Sequence, residues 1–295
     1  MTTIITAALV QELRARTGAG MMHCKKALIE AEGNLEVAAE AMRKSGQIQA
    51  EKKSGRIAAE GLIVIKSNTD LAIILEINCE TDFVSRDKNF VEFADAVTQL
   101  ALDNKVESVE ALLSTSFSET GQSVENTRQN LIAKLGENIQ VRRLTLVYSQ
   151  LGSVIGAYVH TGRIGVIVKL QGGDKQLAKD LALHIIANNP LVISAEDVSN
   201  DVVAKEREIF MAQAQLSGKP QAVIDKMIEG RITKFLSGIS LLGQPFIKDE
   251  AITIKNLLEG SQAKVIDFVR FAVGEGIEKQ TEDFAEAVMA QVKGS

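Results

Sequence analysis

Apolar positions recur along this chain with two different periods, and the switches between them mark out its parts. In residues 6 to 45 they fall three or four apart, the spacing of helices with one buried face. Thr6 can cap a first helix with Leu9, Val10 and Leu13 inward, and "RTGAG" (16–20) breaks it. "MMHCKKALIEAEG" sets Cys24, Ala27, Leu28 and Ala31 on one face and stops at Gly33. Asn34 then caps "LEVAAEAMRKSG", with Leu35, Ala38, Ala39 and Met42 inward and an end at Gly46. The polar stretch "RKSGQIQAEKKSGR" (43–56) reads as a linker. The pattern therefore predicts a small three-helix bundle over 1–55, a semi-independent module.

From Gly61 the period shortens to two. "GLIVIKSNTDLAIILEINC" is a pair of strand-like runs turning at "SNTD", and "NFVEFADAVTQLAL" returns to helical spacing through Phe90, Phe93, Ala94, Val97 and Ala101. A polar helix pair over 107–137 and a strand, "NIQVRRLTLVY" (138–148), complete a first subdomain, 56–145. The pattern then repeats. "SVIGAYVHTGRIGVIVKLQGGDKQLAKDLALHIIANNP" is again a hairpin, turning at "HTGR", followed by an amphipathic helix. This second subdomain, 146–277, includes a helical hairpin at 196–236 joined by "SGKP", with Pro220 beginning its second helix. Val198, Val202, Ile209, Phe210 and Leu216 form one apolar stripe of that hairpin, and Val223, Met227 and Phe235 contribute to another. "AKVIDFVRFAVGEG" reads as a strand, and "EDFAEAVMAQVK" as a short helix within a terminal module, 278–295. The fold class is α+β: a three-helix module, two repeated hairpin-plus-helix α/β subdomains, a projecting helical hairpin and a C-terminal helix.

The two repeats differ most where strand passes into helix. The second does so through the compact "QGGDKQ", the first through the longer "CETDFVSRDKN". Phe83 and Val84 sit there between Asp82 and Ser85–Arg86–Asp87–Lys88, where the flanks indicate solvent. One reading makes Phe83 a wedge for a partner's apolar pocket, with Asp82 offering an acceptor. The other folds Phe83 back onto its own core and has Asp82 cap the following turn. Met21 and Met22 pose a similar choice: neighbours on a helix cannot both face fully inward, so one of them shows an adaptable apolar surface.

Composition narrows the function classes. Among 295 residues, 45% are hydrophobic, 24% are charged and only 3 are proline, which suits a packed core. A net charge of −5 disfavours broad attraction to nucleic acid or anionic membrane. The opening residues lack the basic region and continuous apolar core of a signal peptide, and two distant cysteines suit a reducing cytoplasm. Three dispersed histidines make no metal motif, and the glycine-containing stretches match neither GxGxxG nor a P-loop. Cys79 lies beside Glu80 and Asp82, whose charge disfavours the thiolate a nucleophile needs. The residues alone indicate a cytosolic multi-module α+β interaction protein without an evident active site.

Longer stretches carry a resemblance. "LVQELRARTGAGMMHCKKALIEAEGNLEVAAEAMRKSG" and "LEINCETDFVSRD" resemble the two signatures of the bacterial translation elongation factor Ts family. "GENIQVRR", "RIGV", "LALHIIANNP", "LLGQPF" and "RFAVGEGIEK" follow in the family's order, so the similarity covers essentially the whole chain. His23 stands where the family pattern has an acidic residue. The resemblance implies a guanine nucleotide exchange factor, and not an enzyme, that binds elongation factor Tu in its GDP-bound and nucleotide-free states. It implies that Thr81, Asp82, Phe83 and Val84 displace Mg²⁺ from Tu's GDP site. Arg14, Met21, Met22 and Lys25 of a ubiquitin-associated-like module, with Ile139 and His160, are implied docking residues. The 196–236 hairpin is implied as a surface for a homodimer, and the terminal helix as a further Tu contact. Two rivals remain: an adaptor acting through the three-helix module alone, and an enzyme using Cys79 with His160 or His184.

Overall fold

Most helices and strands follow one another in the order the periodicity predicts. The computed structural model describes residues 5–17, 19–216 and 220–278. It opens with α1 (Ala7–Thr17), α2 (Met21–Glu30) and α3 (Leu35–Lys53), followed by β1 (Glu60–Ser67) and β2 (Leu71–Cys79). Next come α4 (Asp82–Ser85), α5 (Lys88–Asp103), α6 (Val109–Ser114), α7 (Val124–Leu135) and β3 (Gln140–Tyr148). The second half runs β4 (Ser153–His160), β5 (Ile164–Gln171), α8 (Lys175–Asn188), α9 (Asn200–Gln215) and α10 (Gln221–Ile239). It closes with β6 (Pro245–Phe246), β7 (Asp249–Thr253), α11 (Ile254–Gly260) and β8 (Lys264–Ala272). Strand orders are β1-β2-β3, β4-β5-β8 and a small β6-β7 pair, an α+β arrangement. The chain divides into two compact units. One is Met1–Ile63, Leu75–Leu144 and Ala272–Ser295, the other Val64–Ile74 and Thr145–Phe271.

In the first unit the caps fall where the sequence places them. Thr6 Oγ1 accepts from Leu9 N at 3.3 Å, and Asn34 Oδ1 accepts from Glu36 N and Val37 N at 3.1 Å each. Val10, Leu13, Cys24, Ala27, Leu28 and Ala38 form the shared core of the first three helices. The stretch read as a linker is a correction: α3 passes through Gly46 and continues to Lys53. Gly46 and Ala50 are buried, and a Cβ at Gly46 would stand in contact with Gln129 and Asn130 of α7. A glycine inside a helix costs about 1 kcal/mol, which packing of a second face against α7 offsets.

In the second unit β4 pairs antiparallel with β5 from Ser153↔Gln171 to His160↔Ile164. Thr161 and Gly162 make the turn at positive φ, 51° and 72°. A Cβ at Gly156 of β4 would lie 2.4 Å from the Ala178 backbone, so only glycine permits α8 to pack this closely. Val166, Val168 and Leu170 meet Leu181 and Ile185 in this core. His184 lies fully buried among them. Its Nε2 is 2.9 Å from Gln244 Oε1, while Nδ1 faces the donors Ile247 N at 3.3 Å and Asn188 Nδ2 at 2.9 Å. Two donors on Nδ1 place the proton on Nε2. Burial pushes this imidazole below its ordinary 6.5, against the opposing bond to Gln244.

The helical hairpin is present, but its seam differs from the expected stripes. Ala214, Ile224, Ile228 and Ile232 are buried, with Val203, Phe210 and Leu236 packed against them. Val202, Ile209, Leu216 and Val223 lie exposed instead. Residues on adjacent helical rows look equivalent in sequence, and only the crossing of two particular helices selects one row. The helix expected within 278–295 lies outside the described residues.

Candidate functional site

β2 is buried along its whole length, and the chain leaves it at Glu80. The next turn is α4, four residues that could not hold a helix alone. Several bonds fix it. Thr81 Oγ1 accepts from Val84 N at 3.4 Å, Ser85 Oγ donates to Asp82 O at 2.8 Å, and Asp87 Oδ1 accepts from Asn89 N at 2.8 Å to start α5. Thr81 and Asp87 are thus the caps; Asp82 instead pairs with Arg86 at 3.0 Å on the surface. Phe83 is 82% exposed, while Val84 is half-buried and Ser85 buried. The ring does not fold back. An apolar ring held outward by a fixed turn is a feature that packing of its own core does not require.

A buried ion cluster supports the base of this segment. Glu76, fully buried on β2, accepts from Arg143 Nε at 2.5 Å, Arg142 Nη1 at 2.9 Å, Gly274 N at 2.8 Å and Asn78 Nδ2 at 3.0 Å. Burial would raise its pKa. The Gly274 N–H, the two guanidiniums and Asn78 outweigh it and hold the carboxyl below its ordinary range. Glu76 ties β2, β3 and the residues after β8 together.

The other expected residues divide by exposure. Arg14, Met21, Met22 and Lys25 are all on the surface, with Met22 75% exposed. Both methionines face outward, where at least one was expected to. Ile29, one turn beyond Lys25, is also exposed, and the helical spacing of 21, 25 and 29 could have revealed it. In the second unit His160 is exposed at the end of β4. Ile139 is a correction: it is fully buried, so its side chain presents no docking surface. Its docking role is implied by the resemblance alone, while the strand-like "NIQVRRLTLVY" that contains it is compatible with burial.

Chemistry by the chain itself finds little support. Cys79 is fully buried and donates from Sγ to Thr81 O at 3.2 Å, a packed thiol with no exposure to substrate. Among the described residues no three His, Cys, Asp or Glu side chains cluster to hold a metal, and no helix is long and apolar enough to cross a membrane.

These features define a protein-binding α+β scaffold that carries an apolar ring outward on a braced turn. The profile of the family described as Elongation factor TS matches residues 80–275. The chain is 54% identical to elongation factor Ts of Thioalkalivibrio sulfidiphilus over 99% of both chains. It is equally identical to elongation factor Ts of Idiomarina loihiensis and of Tolumonas auensis, over 98% of this chain and 97% of each relative. The chain belongs to the elongation factor Ts family. Its function is guanine nucleotide exchange on elongation factor Tu in translation elongation.

Proposed function

We propose that exchange works by insertion of the Thr81–Val84 turn beside Tu's GDP site, where it displaces Mg²⁺. The observation that carries this reading is Phe83, 82% exposed on a turn fixed at both ends. Guanine nucleotides are held by backbone N–H groups and a P-loop lysine, with Mg²⁺ bridging phosphate to protein. A ring wedged against an adjacent helix shifts the groups that orient Mg²⁺ by about an ångström, and contacts that depend on geometry weaken. Asp82, half-exposed, can accept hydrogen bonds from Tu in the displaced arrangement once it leaves Arg86. With Mg²⁺ lost, the phosphates are under-neutralised and GDP leaves.

Linkage fixes the accounting. A factor that weakens GDP binding to Tu is itself weakened by GDP to the same degree, about 1.4 kcal/mol for each tenfold. It therefore binds both GDP-bound and nucleotide-free Tu, the latter more tightly. It sets the rate of exchange, and excess GTP sets the direction. No bond-making residue and no cofactor is needed, and the setting is the cytoplasm.

Docking falls to Arg14, Met21, Met22 and Lys25 of the three-helix segment 1–55, and separately to His160. The exposed Val202, Ile209 and Val223 of the helical hairpin favour a second surface, for another copy of this chain. Release of a fluorescent GDP analogue from Tu, with this protein sub-stoichiometric, tests the reading. Catalytic acceleration by the native protein that the Phe83→Ala variant loses supports the wedge. Tu binding without acceleration supports an adaptor acting through the three-helix segment.

A further inference from the structure

Glu137, half-buried just before β3, makes three hydrogen bonds to the entry of the exposed turn. Its Oε2 accepts from both Glu80 N at 3.1 Å and Thr81 N at 3.0 Å, and its Oε1 accepts from Thr81 Oγ1 at 2.6 Å. The clasp is reciprocal: Glu80 Oε1 accepts from Asn138 N at 2.6 Å. Behind it, Asn138 Nδ2 donates to Arg56 O at 2.8 Å, and Lys53 Nζ at the end of α3 donates to Gly136 O.

We propose that Glu137 is a positioning residue for exchange, its carboxylate setting the turn that presents Phe83. The chemistry requires a carboxylate. Three donors converge on two oxygens, and an ionised carboxyl is the side chain that offers acceptors only. By taking the hydroxyl hydrogen of Thr81, Glu137 leaves an Oγ1 lone pair aimed at Val84 N, the bond that caps α4. A glutamine at 137 keeps one acceptor oxygen but presents an NH₂. With its oxygen on the backbone N–H groups, its NH₂ donates to Thr81 Oγ1, and the hydroxyl hydrogen turns away from Glu137's place. That hydrogen loses its carboxylate acceptor and the turn exchanges a charge-assisted anchor for a weaker neutral one, so the cap on Val84 is held less firmly while the rest of the fold keeps its packing. Phe83 remains present but no longer held at one angle, which affects a step that depends on geometry more than it affects docking.

The proposal rests on the exchange reading, and the test separates the two. Glu137→Gln and Thr81→Val are each made alone, together, and with Phe83→Ala in the full chain. GDP release from Tu and equilibrium affinity for nucleotide-free Tu are measured, with circular dichroism and thermal unfolding to confirm the fold. Expected is a loss of about tenfold in exchange for either variant, with affinity changed by about twofold or less. The losses should not add: Glu137→Gln/Phe83→Ala should exchange no more slowly than Phe83→Ala alone, because the clasp acts only through the ring. Native-rate exchange by Glu137→Gln overturns the proposal, as does a loss that adds fully to that of Phe83→Ala. Should Glu137→Gln fail to fold, Thr81→Val decides, and a native rate for it overturns the proposal equally. No acceleration by the native protein would instead remove the exchange reading itself.

Discussion

The chain builds a hairpin followed by a helix twice, and the two copies part at a single connection. After β5, Gly172 and Gly173 carry the chain at positive φ, 76° and 71°, to Asp174, whose Oδ1 accepts from Leu177 N at 2.8 Å to start α8. After β2, the same kind of cap is made by Asp87, but Glu80 through Arg86 come first. Two glycines suffice to turn a strand into a capped helix. The longer connection spends its extra residues on a turn with Phe83 outward, braced by its own caps and by Glu137 from outside the hairpin. The difference teaches that the scaffold is satisfied without the turn, so the turn's cost is explained by what it presents.

The strongest way to break this comparison is to make the copies alike. Replacing residues 80–87 by Gly-Gly-Asp is expected to leave a folded protein by circular dichroism and to abolish acceleration of GDP release. A chain that no longer folds would show that the turn belongs to the scaffold after all. Phe83→Ala is the sharper version. Exchange should fall by about tenfold or more, equivalent to about 1.4 kcal/mol, and further than with Met21→Ala, which weakens docking alone. Stability should move by no more than about 0.5 kcal/mol, since the ring is exposed. Equal losses for Phe83→Ala and Met21→Ala would sink that ordering.

Effects on stability, and not on exchange, separate the buried polar groups of the two units. Glu76→Ala leaves Arg142 and Arg143 without their shared carboxylate and should destabilise by about 3 kcal/mol in urea unfolding at pH 7, somewhat less if the partly exposed guanidiniums rehydrate. Acid should distinguish the units as well. His184 has a depressed pKa when folded, so the unfolded chain binds more protons below 6.5, and its contribution to stability is lost as pH falls under that value. Glu76 is depressed too, but as a carboxylate its contribution persists at pH above 4.5 and is lost as pH falls through its folded pKa. Probes in the second unit should therefore respond between pH 7 and 6, where the response should vanish in His184→Gln, and Glu76 should act only in stronger acid. A single transition with unchanged pH dependence in that variant would refute the assignment. The smallest effect is in the hairpin: Ile209→Ala, exposed, should cost about 0.5 kcal/mol or less in unfolding, against about 2–4 for the buried Ile232→Ala as control.

Much of this was legible in the residues. Caps at Thr6 and Asn34, the turn at Thr161–Gly162 and the helix faces of α1, α2 and α5 follow from local chemistry, because each needs only neighbours within one turn. The oddity of Phe83 was legible too, though not its direction. The errors share one cause. Gly46 looked like a helix end until α7 came to lie beside it, and Ile139, implied by the resemblance as a docking residue, is covered by the core. Val202 and Ile209 looked like a seam until α10 took the neighbouring row. The stretch between α10 and β8, with β6, β7 and α11, shows too little periodicity to be assigned without its partners.

By itself, then, the sequence determined most of the helices and strands, where two hairpins repeat, and that one connection carries an apolar ring among polar neighbours. It did so through interactions spanning a few residues, which periodicity and capping chemistry record directly. Only the tertiary structure decided which faces are covered, which carboxylate grips Thr81, and that Phe83 points to solvent. The carboxylate contacts join groups far apart in sequence, 56 residues for Glu137 and Thr81 and 198 for Glu76 and Gly274, and no local pattern encodes which distant donor a carboxylate will meet.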